Sequence, residues 1–550
     1  MKKKYLAAAF AAMYCLGMQV PGAQAAVPAG QGAEVPQAAE SGQSAKTYSL
    51  DFDASTYEKR TKQVNGKDVA YRAYENRVYV SHPVDAAYES MNLYIPEAYF
   101  EGKSVNGYTA ETAPIFLPNT VGGYMPGPAG TEDSPMSGKT ILAALQNGYV
   151  VAAPGARGRT NQAADGTYTG KAPALIVDMK AAVRYLRYNA KNLPAGDTEK
   201  IISNGTSAGG ALSALLGATG NSADYEPYLR EIGAAETRDD IFATSAYCPI
   251  TNLEHADMAY EWVFGDVHTY HQGKMGMMPA GQKPQGMPPQ NGAAPADMGM
   301  PPTTPGAAPD GAVSGRPANA PAESTSSTAL TAKQIKVSKE LRKAFPAYVD
   351  SLHLKAADGT PVTLDAKGNG TFKEYIKGLY LASAQTQLDA GKDLSDQKWL
   401  TVKNGKAVDM DLGKYAEAVT RLKGVPAFDS LDLSSGENSE FGSATINARH
   451  FTEIGRKYNT AAHAQMTDPE LVKLLNPLDY IGKDGVKTAK YFRIRHGETD
   501  RDTALPIPAI LALALENHGT QVDFAVPWGQ GHAGDYDLAE LFAWIDHIAR

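Results

Sequence analysis

Four short apolar runs, residues 112–117, 149–153, 200–203 and 241–247, carry β-branched side chains. Each predicts a buried strand. Between two of them Pro173 opens a stretch in which Ile176, Met179, Val183 and Leu186 recur at helical spacing, so a helix with one apolar stripe is expected there. The pattern returns near the C-terminus, with strands at 492–495 and 522–526 and a helix over 506–516. A last helix aligns Leu538, Leu541, Phe542, Ile545 and Ile548 on one stripe. Buried strands alternating with helices imply a mostly parallel sheet covered on both faces.

Residues 249–489 differ in character and are read as one insertion above that sheet, so the core comprises 46–248 and 490–550. Helical stretches such as 372–390 suit a mainly helical lid. Within the insertion, 273–329 hold no Leu, Ile, Phe, Tyr or Trp and a single Val. Such a segment cannot repay the entropy of ordering and is expected to be disordered. The Ala-, Gly-, Gln- and Pro-rich tail at 27–45 falls in the same class.

Charge and targeting narrow the setting. Lys2, Lys3 and Lys4 precede an apolar run to about Met18, and Ala23-Gln24-Ala25 follows with the small residues a signal peptidase needs. Residues 1–26 therefore read as a cleaved export signal, placing the mature protein in a periplasm or outside the cell. Cys15 does not suit a lipoprotein site, because bulky Tyr14 stands before it. Cleavage would take the formal net charge from −8 to −11, which argues against nucleic acid as a partner. One cysteine, Cys248, would remain, so no intramolecular disulfide can form. No other apolar stretch is long enough for a transmembrane helix.

Candidate chemistry centres on Gly205-Thr206-Ser207-Ala208-Gly209, a G-x-S-x-G pattern. Alone the pattern arises by chance. Here apolar Ile201-Ile202 precedes it and a helical stretch over 211–216 follows, the strand–turn–helix setting of an α/β-hydrolase nucleophile. The helix N-terminus behind Ser207 would aim N–H groups at a developing oxyanion. A serine hydroxyl needs a base, and the base a carboxylate to orient it. On this fold the order is Ser, acid, His, each after a late strand. Of eleven histidines, His532 alone lies just past the last strand, among Gly529, Gly531 and Gly534, whereas His547 falls within the final helix. Glu498, Asp500 and Asp502 follow the preceding strand and are the candidate acids. Ala208 would give one oxyanion N–H. Gly122, in the 118–123 loop after an early strand, would give the other, although paired glycines also suit an ordinary turn.

Longer stretches carry a resemblance. PNTVGGYMPG (118–127), APGARGRT (153–160), SNGTSAGGALSALLGATGN (203–221) and YCPITNLEHADMAYEW (247–262) resemble the bacterial tannases, or tannin acyl hydrolases. So do ENSEFG (437–442), RHGETDRDT (495–503) and WGQGHAGDYD (528–537), and the match spans nearly the whole chain outside the tail and 273–329. The resemblance implies Ser207 as nucleophile, Asp500 as acid and His532 as base. It also implies that Asp502, Lys423 and Glu437 hold the galloyl ring hydroxyls. Composition alone would leave Lys423 and Glu437 as a surface ion pair. Fungal tannases and feruloyl esterases place cysteines beside the nucleophile and the histidine. Thr206 and Ala533 stand there instead, which excludes that branch.

The expected activity is therefore hydrolysis of galloyl esters of polyphenols to gallic acid and an alcohol. No metal or organic cofactor is expected, since neither H-E-x-x-H nor C-x-x-C occurs. The alternatives are another aryl or feruloyl esterase, and a polyphenol-binding protein on an inactive hydrolase fold. A peptidase on this fold usually carries a repeat propeller, and no repeat is present.

Overall fold

The computed structural model describes residues 47–135, 137–270 and 327–550. The expected leader and tail lie outside the described residues, as does the low-complexity segment up to residue 326.

One sheet contains nine strands: β1 (Glu58–Val64), β2 (Lys67–Val78), β3 (Ser90–Pro96), β4 (Pro114–Pro118), β5 (Val150–Pro154), β6 (Asp197–Thr206), β7 (Ala243–Tyr247), β8 (Tyr491–Arg495) and β9 (Gln521–Ala525). They lie in the order β1-β2-β3-β5-β4-β6-β7-β8-β9. From β5 to β9 neighbours run parallel, and β1, β2 and β3 join antiparallel. Every residue of β4, β5 and β7 is buried, which is why these strands read as unbroken apolar runs. With its flanking helices and large, mainly helical insertion, this is the α/β-hydrolase architecture expected from sequence.

Sequence patterning did not predict β1 to β3. β1 is a polar edge strand whose exposure alternates. It turns into β2 through Asn65 and Gly66, both at positive φ (50° and 75°), the conformation a two-residue hairpin requires. Helix Ala174–Tyr188 buries its expected apolar stripe and almost everything else. Its polar side is matched rather than solvated. Lys180 meets Asp239 at 2.8 Å with both side chains fully buried, and Asp178 accepts from Arg157 at 2.7 Å.

The insertion between β7 and β8 is built on helices Leu253–Phe264, Ala332–Ser351, Thr371–Asp389 and Leu412–Val419, with one hairpin formed by Leu400–Lys403 and Lys406–Met410. One boundary changes. Residues 328 and 329, expected to be disordered, are ordered: Thr328–Ala329 pairs antiparallel with Thr269–Tyr270. The next residue, Leu330, is the first large apolar side chain after the low-complexity run, and it packs with Val337, Leu341, Val425 and Leu431. No described helix is long and apolar enough to cross a membrane.

The register of the parallel strands sets the site. Thr206 pairs with Tyr247, Tyr247 with Arg495, and Arg495 with Ala525. These four residues form one rung at the C-terminal edge, where open parallel sheets bind ligands. The turns after β6, β8 and β9 all leave from it.

Candidate active site

Ser207 is the first residue past that rung on β6. Its backbone sits at φ 61°, ψ −123°, a region that costs a non-glycine residue about 1–3 kcal/mol. The strain is held by its N–H, which donates to Tyr247 O at 2.9 Å, and by helix Ala208–Ala218, which starts at once. A side chain at Gly205 would overlap Gly209 O. The motif's glycines are therefore room for two backbones in contact. Asn119 Nδ2 bridges Asn204 O, Gly209 O and Ser213 Oγ, each at 3.1 Å. It clamps the loop bearing Gly122 onto the turn bearing Ala208.

Asp500 begins the turn after β8. Its Oδ1 accepts from the N–H groups of Asp502 and Thr503 at 2.9 and 3.2 Å, leaving Oδ2 to His532 Nδ1 at 2.9 Å. Burial opposes ionisation of Asp500, but His532 and His496 outweigh it and hold the carboxyl well below the usual range. Burial likewise disfavours a charged His532, yet Asp500 and Asp502 raise its pKa well above the ordinary value. His532 Nε2 is buried and makes no hydrogen bond, to Ser207 Oγ or to any other group. It lies 3.9 Å from Asp502 Oδ1. Catalytic hydrogen bonds commonly tighten only in the substrate complex. Glu498 serves elsewhere, accepting from Gly529 N–H at 3.2 Å. Burial lifts its carboxyl to about 7.

Among the described residues, one cluster has possible metal-ligand atoms within 4.8 Å of one another: Cys248, His496 and Asp500. Burial pushes the Cys248 thiol up and the His496 imidazole down to about 4. Both thus stand neutral beside an Asp500 already engaged by His532, which suits packing around the acid.

Lys423 reaches Asp502 at 3.1 Å and lies over the Phe428 ring. Burial disfavours its charge, but Asp502 and Glu437 more than restore it. Glu437, buried on the short helix Gly436–Glu440, completes the charged set. Several supporting residues had no signal in spacing or composition. Tyr260 Oη accepts from the N–H groups of Leu422 and Lys423 at 3.2 and 3.3 Å and donates to Arg501 O at 2.8 Å. Arg421, fully buried, pairs with Glu261 at 2.6 Å and donates to Lys423 O and Gly424 O. Arg159 donates to Gly123 O at 2.8 Å. Tyr260 and Arg159 lie inside recognisable motif stretches, while Arg421 has only its place ahead of Lys423.

A cavity of about 690 Å³ opens beside His532. The insertion contributes Gln397, Trp399 and Thr420 to its lining, and the late sheet loops contribute Asp502, Trp528 and His532.

The BD-FAE family model matches residues 111–280. No curated protein matches the chain. Among solved structures, a tannase from Lactobacillus plantarum is 45% identical, with 91% of this chain and 100% of that one covered and a TM-score of 0.81. The Fusobacterium nucleatum tannase is 47% identical, with 92% and 100% covered and a TM-score of 0.80. A tannin acyl hydrolase in complex with ethyl gallate is 45% identical, with 91% and 99% covered and a TM-score of 0.79. With a mostly parallel nine-stranded sheet, a strained serine at its rim and this degree of identity along nine-tenths of its length, the chain belongs to the bacterial tannases, the tannin acyl hydrolases.

Proposed function

We propose that the protein hydrolyses galloyl esters to gallic acid and an alcohol through an acyl-enzyme on Ser207. One observation carries this reading. The His532 imidazole is held at Nδ1 by Asp500 at 2.9 Å, while its other nitrogen faces an Asp502 that pairs with Lys423. A proton acceptor and a set of hydroxyl-reading charges thus share one end of the sheet. The similar structures in complex with ethyl gallate and with 3,4-dihydroxybenzoate support the same substrate class.

In this reading His532 Nε2 takes the Ser207 proton as Oγ attacks the ester carbonyl. Asp500 holds the imidazole with its proton on Nδ1. The N–H groups of Ala208 and Gly122 meet the oxyanion. Collapse of the tetrahedral intermediate passes the proton from His532 to the departing alcohol, and water activated by the same base then frees the acid. Three adjacent phenolic hydroxyls both donate and accept. Asp502 and Glu437 accept from them and Lys423 donates. A buried site built this way rejects rings lacking the hydroxyls by up to ~10⁴-fold, because its charges are then left unpaired.

Replacing Ser207 by Ala is expected to lower kcat on methyl gallate by about 10⁴-fold or more, with circular dichroism unchanged. Near-normal turnover would remove the assignment. Equal rates for the unmodified protein on methyl gallate and methyl benzoate would leave an esterase without the galloyl specificity.

A further inference from the structure

Gly122 and Gly123 have no side chains to pack, and a Cβ on either would meet no atom within 4 Å. The pair borders open space, with Gly123 at φ 56°. Hydrogen bonds from the backbone oxygens must therefore hold it. Gly122 O accepts from Met125 N–H at 3.0 Å, which closes a turn. Gly123 O accepts from Arg159 Nε–H at 2.8 Å.

Arg159 is itself fixed from the core. Its N–H donates to Tyr124 O at 2.9 Å, and Gly127 and Ala156 exchange backbone bonds at 3.0 and 2.8 Å. A side chain on Gly158 would overlap the backbone of Met125 and Pro126, so the two segments lie backbone against backbone. The guanidinium also faces the insertion. A Cβ on Gly436, the first residue of the helix that carries Glu437, would lie 3.4 Å from Arg159 Nε and 3.5 Å from Gly123 O. The start of that helix thus covers the Arg159–Gly123 bond. Burial pulls Arg159 below the ordinary guanidinium value, and Glu437 and Glu440 oppose it. Glu440, one turn after Glu437, is fully buried, and neither of its carboxyl oxygens is hydrogen-bonded. The far end of the helix is tied to the same core segment. Lys171 Nζ donates to Ser439 Oγ at 3.0 Å, and Ala172 N–H donates to Glu440 O at 3.0 Å.

We propose that Arg159 is a positioning residue that couples the two halves of the site, holding the Gly122–Gly123 turn for the oxyanion and seating the Glu437 helix for the galloyl ring. The inference rests on the galloyl-esterase reading and adds to it the part that joins acyl transfer to ring recognition. A shift of this one guanidinium would move a hydrogen-bond donor and a reading carboxylate together.

The test measures kcat and KM for Arg159→Gln, Arg159→Lys, Glu437→Gln and the double variant Arg159→Gln/Glu437→Gln, on methyl gallate and on p-nitrophenyl acetate. The second ester has no galloyl hydroxyls, so it reports the nucleophile and the oxyanion alone. Loss of an oxyanion donor costs about 10²–10³-fold in kcat, and a donor present but unsupported is expected to cost about tenfold on both esters in Arg159→Gln. KM for methyl gallate should rise about fivefold in the same variant, the worth of one weakened hydrogen bond. That rise should vanish in the Glu437→Gln background, because it is transmitted through Glu437. Arg159→Lys keeps a charge toward the two glutamates without the Nε donor. It should lose kcat on both esters with a near-native KM, and it decides the matter alone where the glutamine variant does not fold. Native kcat on p-nitrophenyl acetate in an Arg159 variant would overturn the inference, whether or not the melting temperature falls. So would KM effects of Arg159→Gln and Glu437→Gln that multiply in full. Both outcomes leave the galloyl reading intact. An unmodified protein inactive on methyl gallate would overturn that reading and the coupling with it.

Discussion

The two aspartates of Asp500-Arg501-Asp502 occupy neighbouring positions and do different work. Asp500 is tied by two backbone N–H groups and faces Nδ1, while Asp502 leans toward Nε2 and Lys423. As the base of the proposed mechanism, His532 would accept a proton only when neutral. Burial favours the neutral form, but both carboxylates hold a proton on it and raise its pKa. Activity should therefore fall as pH drops through that raised value. In Asp502→Asn one of the two charges is gone, so the pKa falls and the base stays neutral to lower pH. The acid limb of the kcat/KM profile on methyl gallate is expected to shift toward acid by about one unit. KM should rise in the same variant because a hydroxyl acceptor is lost, and a profile that stays in place would show that Asp502 does not act on the base. The glycine beside the base is equally constrained. A Cβ on Gly534 would overlap Thr206 Oγ1, so the turn carrying His532 can pack on β6 only without a side chain there.

At the scale of elements, helix Ala174–Tyr188 is the instructive case. Two of its buried charges, Lys180 and Arg184, converge on Asp239. Asp239→Ala would leave Lys180 buried without its anionic partner and Arg184 with Glu226 alone, and is expected to cost about 3–5 kcal/mol in denaturant unfolding. A change under 1 kcal/mol would mean that the pair is solvated or replaceable. The same helix shows what one sequence could disclose. Ile176, Met179, Val183 and Leu186 announce a helix because burial of an apolar stripe is a local, periodic signal. Lys180 and Arg184 announce a wet face that does not exist, since their partner lies on a distant segment and periodicity carries no information about it. Strands β4 to β9 were legible for the same reason, and β1 was not, because an edge strand of Glu, Lys and Arg has no apolar run. In the site, the glycines around Ser207 and His532 were legible because backbone crowding demands them. Lys423 and Glu437 entered only through resemblance, and Trp528 was legible only as a letter in a motif. Their neighbours come from loops whose meeting no spacing rule predicts.

Across the whole molecule, insertion and core are bonded to each other at the site by several groups, Tyr415 Oη to Glu498 O and Arg501 to Val419 O and Thr420 Oγ1 among them. Tyr260 Oη alone takes two N–H groups of the strand-like strap that delivers Lys423 and bonds the turn that carries Asp500 and Asp502. Tyr260→Phe keeps the ring packing on Phe264 and Phe428 and removes all three bonds. KM on methyl gallate is expected to rise about tenfold, with kcat less affected and stability lower by about 1–3 kcal/mol. A variant that loses stability with an unaltered KM would separate the hydroxyl from substrate positioning. The rung Thr206–Tyr247–Arg495–Ala525 has a temporal meaning as well. β6, which leads into Ser207, is made earlier and lies inside the sheet, whereas β9, which leads into His532, is made after it and is held by a single neighbour, β8. In the proposed mechanism a growing chain would therefore display its serine before it owns a proton acceptor, and would stay chemically silent until β9 has docked.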